Sequence, residues 1–225
     1  MKRGKRYKKI SELVDKNRTY TLLEAIDLVK KTASAKFDES IDLVLVLGIN
    51  LKKVGQSIRG ACILPHGTGK TKRVAVIANP EKQSEAKEAG ADIVGGQETV
   101  QQIAKGDISF DVLLATPDMM HALAKLGKIL GPRGLMPSPK SGTVTMDIAN
   151  AVKEVKRGKV EFRTDKLGNI QIGVGRASFS REALEENIRA VLDAVNRSKP
   201  PVVRGNFIRK ANLASTMGPG IWVTF

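Results

Sequence analysis

Apolar positions change their spacing along the chain, and the changes divide it into three stretches. In the first, Thr21-Leu22-Leu23-Glu24 is a capping box, in which a hydroxyl caps the helix start and a glutamate reaches back to the backbone. Leu22, Ala25, Ile26 and Val29 follow on one face, so a helix is expected from Thr21 to about Ala33, with a short one before it near Ser11–Asp15. Ile41, Leu43, Leu45, Leu47 and Ile49 then alternate with polar or smaller residues and mark a half-buried strand, and a second strand falls near Arg59–Leu64.

The second stretch has another rhythm. Val74–Ala78 is a short apolar run, followed by a polar helix (Pro80–Ala89), a run at Ala91–Val94, a helix near Thr99–Lys105, a strand at Asp111–Ala115 and a helix from Asp118 to about Lys128. This β-α-β-α-β-α alternation predicts a parallel sheet with helices on both faces. A Gly/Pro-rich loop (Leu130–Gly142) and a helix near Asp147–Lys156 close it. In the third stretch Lys159–Thr164 and Asn169–Val174 flank Asp165-Lys166-Leu167-Gly168 and read as a hairpin. A helix from about Arg181 to Asn196 carries Leu184, Ile188, Val191 and Val195 on its face, and strands are expected near Phe207–Ala214 and Ile221–Phe225.

Neither outer stretch has enough strands to bury a sheet alone. The expected fold class is therefore α/β in two domains. One is a discontinuous two-layer α+β domain made of residues 1–67 and 159–225, and the other, residues 68–158, is inserted into it, with hinges near 65–70 and 156–160.

Charge gives this division a functional direction. The formal net charge is +15 and the pI about 10.0, which calls for a polyanionic partner, nucleic acid before an anionic membrane. Residues 1–67 and 159–225 carry net charges of +7 and +5, while residues 68–158 carry +3. The outer segments are thus expected to share an anion-binding surface. Apolar residues make up 41% of the chain, enough for packed cores. The single cysteine, Cys62, permits no intramolecular disulfide or cysteine zinc site and lies in an apolar run; His66 and His121 are too few for a histidine metal cage. No apolar stretch is long enough to span a membrane, and the basic N-terminus has no apolar segment behind it, so it reads as a basic arm or a solvated tail.

Catalytic motifs fail on inspection. Gly67-Thr68-Gly69-Lys70-Thr71 resembles the end of a phosphate-binding loop, but Leu64 stands where the leading glycine belongs and a strand follows where a helix should. Ile77-Ala78-Asn79-Pro80 replaces the glycine-rich turn of a dinucleotide site. No acid/base pair or nucleophile pattern is marked. The expectation is a protein that is not an enzyme and takes no cofactor or metal; the rival is a nucleotide-dependent enzyme using the inserted domain. Aromatic residues make up only 4%, so recognition of RNA should rest on phosphates, sugars and shape. Lys36-Phe37-Asp38 offers a cation beside a ring that could stack, or a core Phe with a solvated Lys. Ser215-Thr216-Met217-Gly218-Pro219 offers hydroxyls and exposed N–H groups, or an ordinary tight turn. The loop around Lys128 and Arg133 reads equally as an anion contact or a rigid crossover.

The basic arm Lys2–Lys9, Ala35-Lys36-Phe37-Asp38-Glu39, Arg59-Gly60, Leu64-Pro65-His66-Gly67-Thr68-Gly69-Lys70, Leu130-Gly131-Pro132-Arg133-Gly134-Leu135-Met136-Pro137 and Ser215-Thr216-Met217-Gly218-Pro219 occur in that order. Over essentially its whole length the chain thereby resembles the bacterial large-subunit ribosomal protein L-one family, the proteins of the mobile lateral stalk. The resemblance implies a Rossmann-like three-layer α/β inserted domain and an outer RNA-binding domain. It implies a cytoplasmic, ribosome-associated protein, monomeric off the ribosome and without a membrane partner. It also implies binding to 23S ribosomal RNA, help in releasing deacylated tRNA from the exit site, and repression of its own operon through that operon's mRNA. The family's RNA contacts carry over onto Lys36, Phe37, Ser40, Asp165, Thr216, Met217 and Gly218, with Asp27 where a longer acid is usual and Lys210 where some members have serine. Arg3 and Lys5 of the arm, Lys166 and Gly168 beside Asp165, and Ser215 beside Thr216 complete the candidate set.

Overall fold

The computed structural model describes residues 4–49, 58–201, 203 and 205–224. It divides into two compact units, one of residues 1–69 with 160–225 and one of residues 70–159.

The first unit opens with helix α1 (Lys5–Ser11), strand β1 (Tyr20–Thr21) and helix α2 (Leu22–Thr32). The capping box forms: Thr21 Oγ1 accepts the Glu24 N–H and the Thr21 N–H reaches Glu24 Oε2. Helix α1 lies earlier than the Ser11–Asp15 helix expected from sequence. Asp15 instead accepts the Asn17 N–H on its own carboxylate, a local turn that competes with helix, and the phenol of Tyr20 accepts the Asp15 N–H.

Strands β2 (Ser40–Leu47), β8 (Asn169–Arg176), β9 (Ile208–Ser215) and β10 (Ile221–Thr224) join β1 in a five-stranded sheet of order β1-β10-β9-β2-β8. All its pairings are antiparallel except β1 with β10. Period-two alternation decides its faces: Ile41, Leu43, Leu45 and Leu47 of β2, Ile170, Ile172 and Val174 of β8, and Ala211 and Leu213 of β9 are buried, while Asp42, Gln171 and Lys210 are exposed. Ile26 and Val29 of α2, and Leu184, Ile188, Val191 and Val195 of helix α8 (Arg181–Arg197), complete that core. The unit thus has two layers.

Strands β3 (Arg59–Ile63) and β7 (Lys159–Arg163) form a separate two-stranded sheet, which corrects the expected hairpin. The turn at residues 165–168 exists, but the chain leaves one sheet through it and enters another, and only an isolated bridge links Thr164 to Ile170. The Thr164 N–H goes to the Ile58 carbonyl instead. The buried ring of Phe162 lies on Gly60, where a Cβ would come within 2.7 Å of it, so the Arg59-Gly60 step gives the ring its place.

In the second unit β4 (Val74–Ile77) lies between β5 (Ile93–Gly95) and β6 (Val112–Ala115), all parallel. Every residue of β4 is buried, as a parallel strand covered on both faces requires. Val74 and Val76 pack against helices α3 (Pro80–Glu88) and α7 (Ile148–Arg157); Ala75 and Ile77 share a core with α4 (Gln97–Ala104), α5 (Met120–Ala124) and α6 (Gly127–Leu130). These three layers bear out the expected fold class. The helix expected from Asp118 to Lys128 is broken into a 3-10 turn (Pro117–Met119), α5 and α6. Buried Leu126 leaves helical geometry just before Gly127, a residue that disfavours helix interiors. Gly67-Thr68-Gly69-Lys70 leads towards β4, not into a helix, so it builds no phosphate cradle of the P-loop type.

Candidate nucleic-acid interface

The structure sorts the candidate residues to opposite ends of the five-stranded sheet. Ser40 starts β2 and Ser215 ends β9, and Ser215 pairs with Ile41. Lys210 lies at the other end of β9, paired with Val46, and the 165–168 turn leads into β8 at that end. Five residues of strand separate Lys210 from Ser215, about 17 Å.

At the first end, loop 33–39 and turn 215–219 are locked together. The Thr216 N–H donates to the Ser40 carbonyl and the Ser40 N–H to Thr216 Oγ1, both at 3.0 Å. Glu39 makes the firmer lock. Its side chain is 1% exposed, and its two carboxylate oxygens accept the Ala35 N–H at 2.8 Å and the Met217 N–H at 2.9 Å. Burial pushes this carboxyl up, but the Met217 and Ala35 N–H groups, with help from the Arg6 cation, outweigh it and hold the acid below its ordinary range. Asp38 pins the other flank, accepting the Ser178 N–H and hydroxyl, while Arg176 donates to its carbonyl.

Lys36 and Phe37 therefore project between two fixed points. Phe37 is 56% exposed and Met217 48%, so neither is core. The Phe37 ring is exposed and is not the core side chain that was one of its two expected roles. Gly218 is a matter of space: a Cβ there would lie 2.5 Å from Ser215 Oγ. Ser215 itself is buried beneath the turn and supports it. The turn does not offer the exposed N–H groups and hydroxyls expected of it: the N–H groups of Thr216, Met217 and Gly218 go to the Ser40 carbonyl, Glu39 and the Ser215 carbonyl, and the Thr216 hydroxyl is engaged with Ser40.

Helix α1 reaches this end as well. Arg6 donates to Ser34 Oγ at 3.0 Å and to the Met217 carbonyl at 3.5 Å, so the basic arm is anchored beside the turn and Lys5 is exposed next to that anchor. Arg3 lies outside the described residues. Asp27, on α2, is engaged by Arg181 at 3.2 Å.

At the far end Asp165 shapes its own turn. Its carboxylate accepts the N–H groups of Leu167 and Asn169, each at 2.8 Å, and the Asn169 amide at 3.2 Å. These bonds, that from the Asn169 N–H foremost, hold its carboxyl below the ordinary range. Gly168 has φ +86°, a left-handed geometry that favours glycine. Lys166 is exposed, and the Lys210 ammonium stands 5.5 Å from the centre of the Trp222 ring.

Glu39, Arg6 and Ser34 lie outside the candidate set, yet their hydrogen bonds hold these segments together. Glu39 carried one usable signal, an acid closing a basic, aromatic loop directly before a strand. The Cys62 thiol is pushed up by burial, which suits a packed side chain, not a nucleophile. Among the described residues no group of three or more His, Cys, Asp or Glu could hold a metal, and no helix is long and apolar enough to cross a membrane.

Fold and site together describe a two-unit α/β protein whose shaped, polar loops fit a recognition surface better than a reaction centre. The family model described as "Ribosomal protein L1p/L10e family" matches residues 29–219. The large ribosomal subunit protein uL1 of Thermosipho africanus (strain TCF52B) is 55% identical over 223 residues, covering 99% of this chain and 96% of that protein. The chain belongs to the ribosomal protein L1p/L10e family. It is a ribosomal structural protein and not an enzyme.

Proposed function

We propose that this chain is a constituent of the large ribosomal subunit that binds 23S ribosomal RNA at the mobile lateral stalk through its first unit. The observation that carries the reading is the Glu39 lock, which sets Lys36 and Phe37 beside Thr216–Gly218 as one preformed surface. A rigid surface loses little conformational freedom on binding, so its shape, with the exposed Phe37 ring and Met217 thioether, can select an RNA fold. Lys36, Phe37, Ser40, Thr216, Met217 and Gly218, with Lys5 and buried Ser215 in support, form the proposed principal contact. Asp165, Lys166, Gly168 and Lys210 form a second, and Arg3 and Asp27 are further contacts, Asp27 once Arg181 releases it.

The finer roles follow as part of the same proposal. Held on the stalk, the protein assists release of deacylated tRNA from the exit site. Free of the ribosome, it represses its own operon by binding an mRNA segment that mimics the ribosomal RNA site.

A titration of the wild-type protein with a structured fragment of 23S stalk RNA, repeated across KCl concentrations, tests the RNA reading. Tight binding with a steep negative dependence on salt is expected, because each neutralised phosphate releases counterions. An unrelated structured RNA of equal length bound equally well would refute it. The operon mRNA should compete with the stalk fragment, and ribosomes lacking the protein should retain deacylated tRNA longer in the exit site.

A further inference from the structure

The first unit contains a concavity that no candidate contact except Lys210 touches. It encloses about 950 Å³ at the far end of the sheet, between the 16–19 loop, the C-terminal end of α8 and the start of β9. Lys16, Arg18, Lys199, Arg209 and Lys210 line it, and no Asp or Glu does among the described residues. Arg18 is ion-paired with Glu24 at 3.4 Å, and Lys199 donates to the Gly205 carbonyl. Lys16 and Arg209 have no acidic partner among the described residues, and both are exposed. The Lys210 ammonium over Trp222 adds a cation held in place on the groove wall.

Concave walls of low dielectric focus the field of such cations, so a groove of one sign attracts counter-charge more strongly than the same residues on a convex surface. It lies at the opposite end of β9 from the Thr216–Gly218 turn. We propose that this groove is a separate site for the phosphate backbone of an RNA strand, with Lys16, Lys199, Arg209 and Lys210 as its phosphate contacts. The site extends the RNA-binding reading above and rests on it for its occupant. It supplies affinity without sequence choice, since phosphate contacts position a strand but do not read it.

The test uses full-length protein and two probes, a decauridylate and the structured 23S fragment, each titrated across KCl concentrations. Lys16→Gln/Arg209→Gln removes two groove cations, and Lys105→Gln/Lys125→Gln removes two exposed cations from the second unit as a charge-matched control. Melting temperatures confirm that both variants fold. For decauridylate the groove variant is expected to bind about tenfold more weakly, with a log–log salt slope shallower by about 1.4, the contribution of two single-strand phosphate contacts. The control should move neither quantity appreciably. Equal losses in the groove variant and the control, or no loss in the groove variant, would overturn the proposal. The 23S arm separates the two readings: indifference of 23S binding to Met217→Ala alongside a decauridylate loss in the groove variant sinks the principal contact and leaves the groove standing.

Discussion

The two ends of the five-stranded sheet are built on different physics. At the Thr216 end, order comes from neutral and charge-assisted hydrogen bonds: the Ser40–Thr216 exchange, the Glu39 lock and the Asp38 anchor hold the two loops in place. Its exposed offer is the Phe37 ring and the Met217 thioether, with Lys36 and Lys5 beside them. At the other end Lys16, Lys199, Arg209 and Lys210 stand exposed around a groove with no lining acid among the described residues. One end can discriminate by shape, because moving its groups costs the hydrogen bonds that lock its loops. The other can attract, at long range and with strong dependence on salt. A protein needing both selectivity and speed of encounter can place them apart on one rigid scaffold.

The largest effect should come from breaking the lock. Glu39→Ala removes the acceptor of the part-buried Ala35 and Met217 N–H groups, at a cost of about 1–3 kcal/mol. Urea denaturation should show a lower midpoint, and affinity for the 23S fragment should fall more than tenfold. Glu39→Gln keeps the volume and one acceptor oxygen, so it should fold better yet still misplace one loop. Its signature is a loss of 23S affinity with an unchanged salt slope, because no phosphate contact is removed. The acid limb adds a check. A carboxyl depressed in the folded state contributes stability that is present above its unfolded value and lost as pH falls through the folded one. Stability of the wild type should therefore fall with acidification below the ordinary carboxylate range, and less steeply in Glu39→Gln. RNA affinity unaffected in both variants would break the idea that the lock creates the recognition surface.

Met217→Ala comes next. The side chain is 48% exposed, so its loss should leave the melting temperature within a degree or two, while 23S affinity drops about tenfold, the equivalent of 1.4 kcal/mol. A large stability loss with unchanged affinity would move Met217 into the scaffold and erase the contrast between the two ends.

Much of this architecture was readable because the information was local. The capping hydroxyl of Thr21 and Glu24 stand three residues apart, and Ile41, Leu43 and Leu45 alternate whatever surrounds them. The partner of β7 was not local. Its proximity to β8 through the Asp165 turn suggested a hairpin, but Phe162 packs over Gly60, a hundred residues away in sequence, and tertiary packing chose β3. The site divides the same way. Phe37 and Met217 were legible as an unusual ring and an unusual thioether among turn formers, whereas Glu39 looked like any other acid. Its role depends on receiving Ala35 and Met217 N–H groups from two segments 182 residues apart, which only the folded chain brings together.

At the far end, Asp165→Ala should cost about 1 kcal/mol, since the turn loses bonds to Leu167 and Asn169 that are largely open to solvent. Its effect on 23S affinity should be modest and should track the loosening of Lys166. If Asp165→Ala instead matched Met217→Ala in affinity loss with unaltered stability, Asp165 would be a direct RNA contact and the far end would discriminate as well as attract.

The smallest effect is expected from Lys210→Gln. The ammonium is solvent-exposed and held over Trp222, so its removal leaves no buried group unpaired and should not shift the melting temperature. If it meets a phosphate, 23S affinity should weaken by a few-fold and the log–log salt slope should become shallower by about 0.9 for a duplex contact. The loss should be the same for the stalk fragment and for an unrelated RNA, because a phosphate carries no sequence. A loss confined to the stalk fragment would instead mean that Lys210 reads a base edge. The sharp division between a selecting end and an attracting end would then give way to a recognition surface running the length of β9.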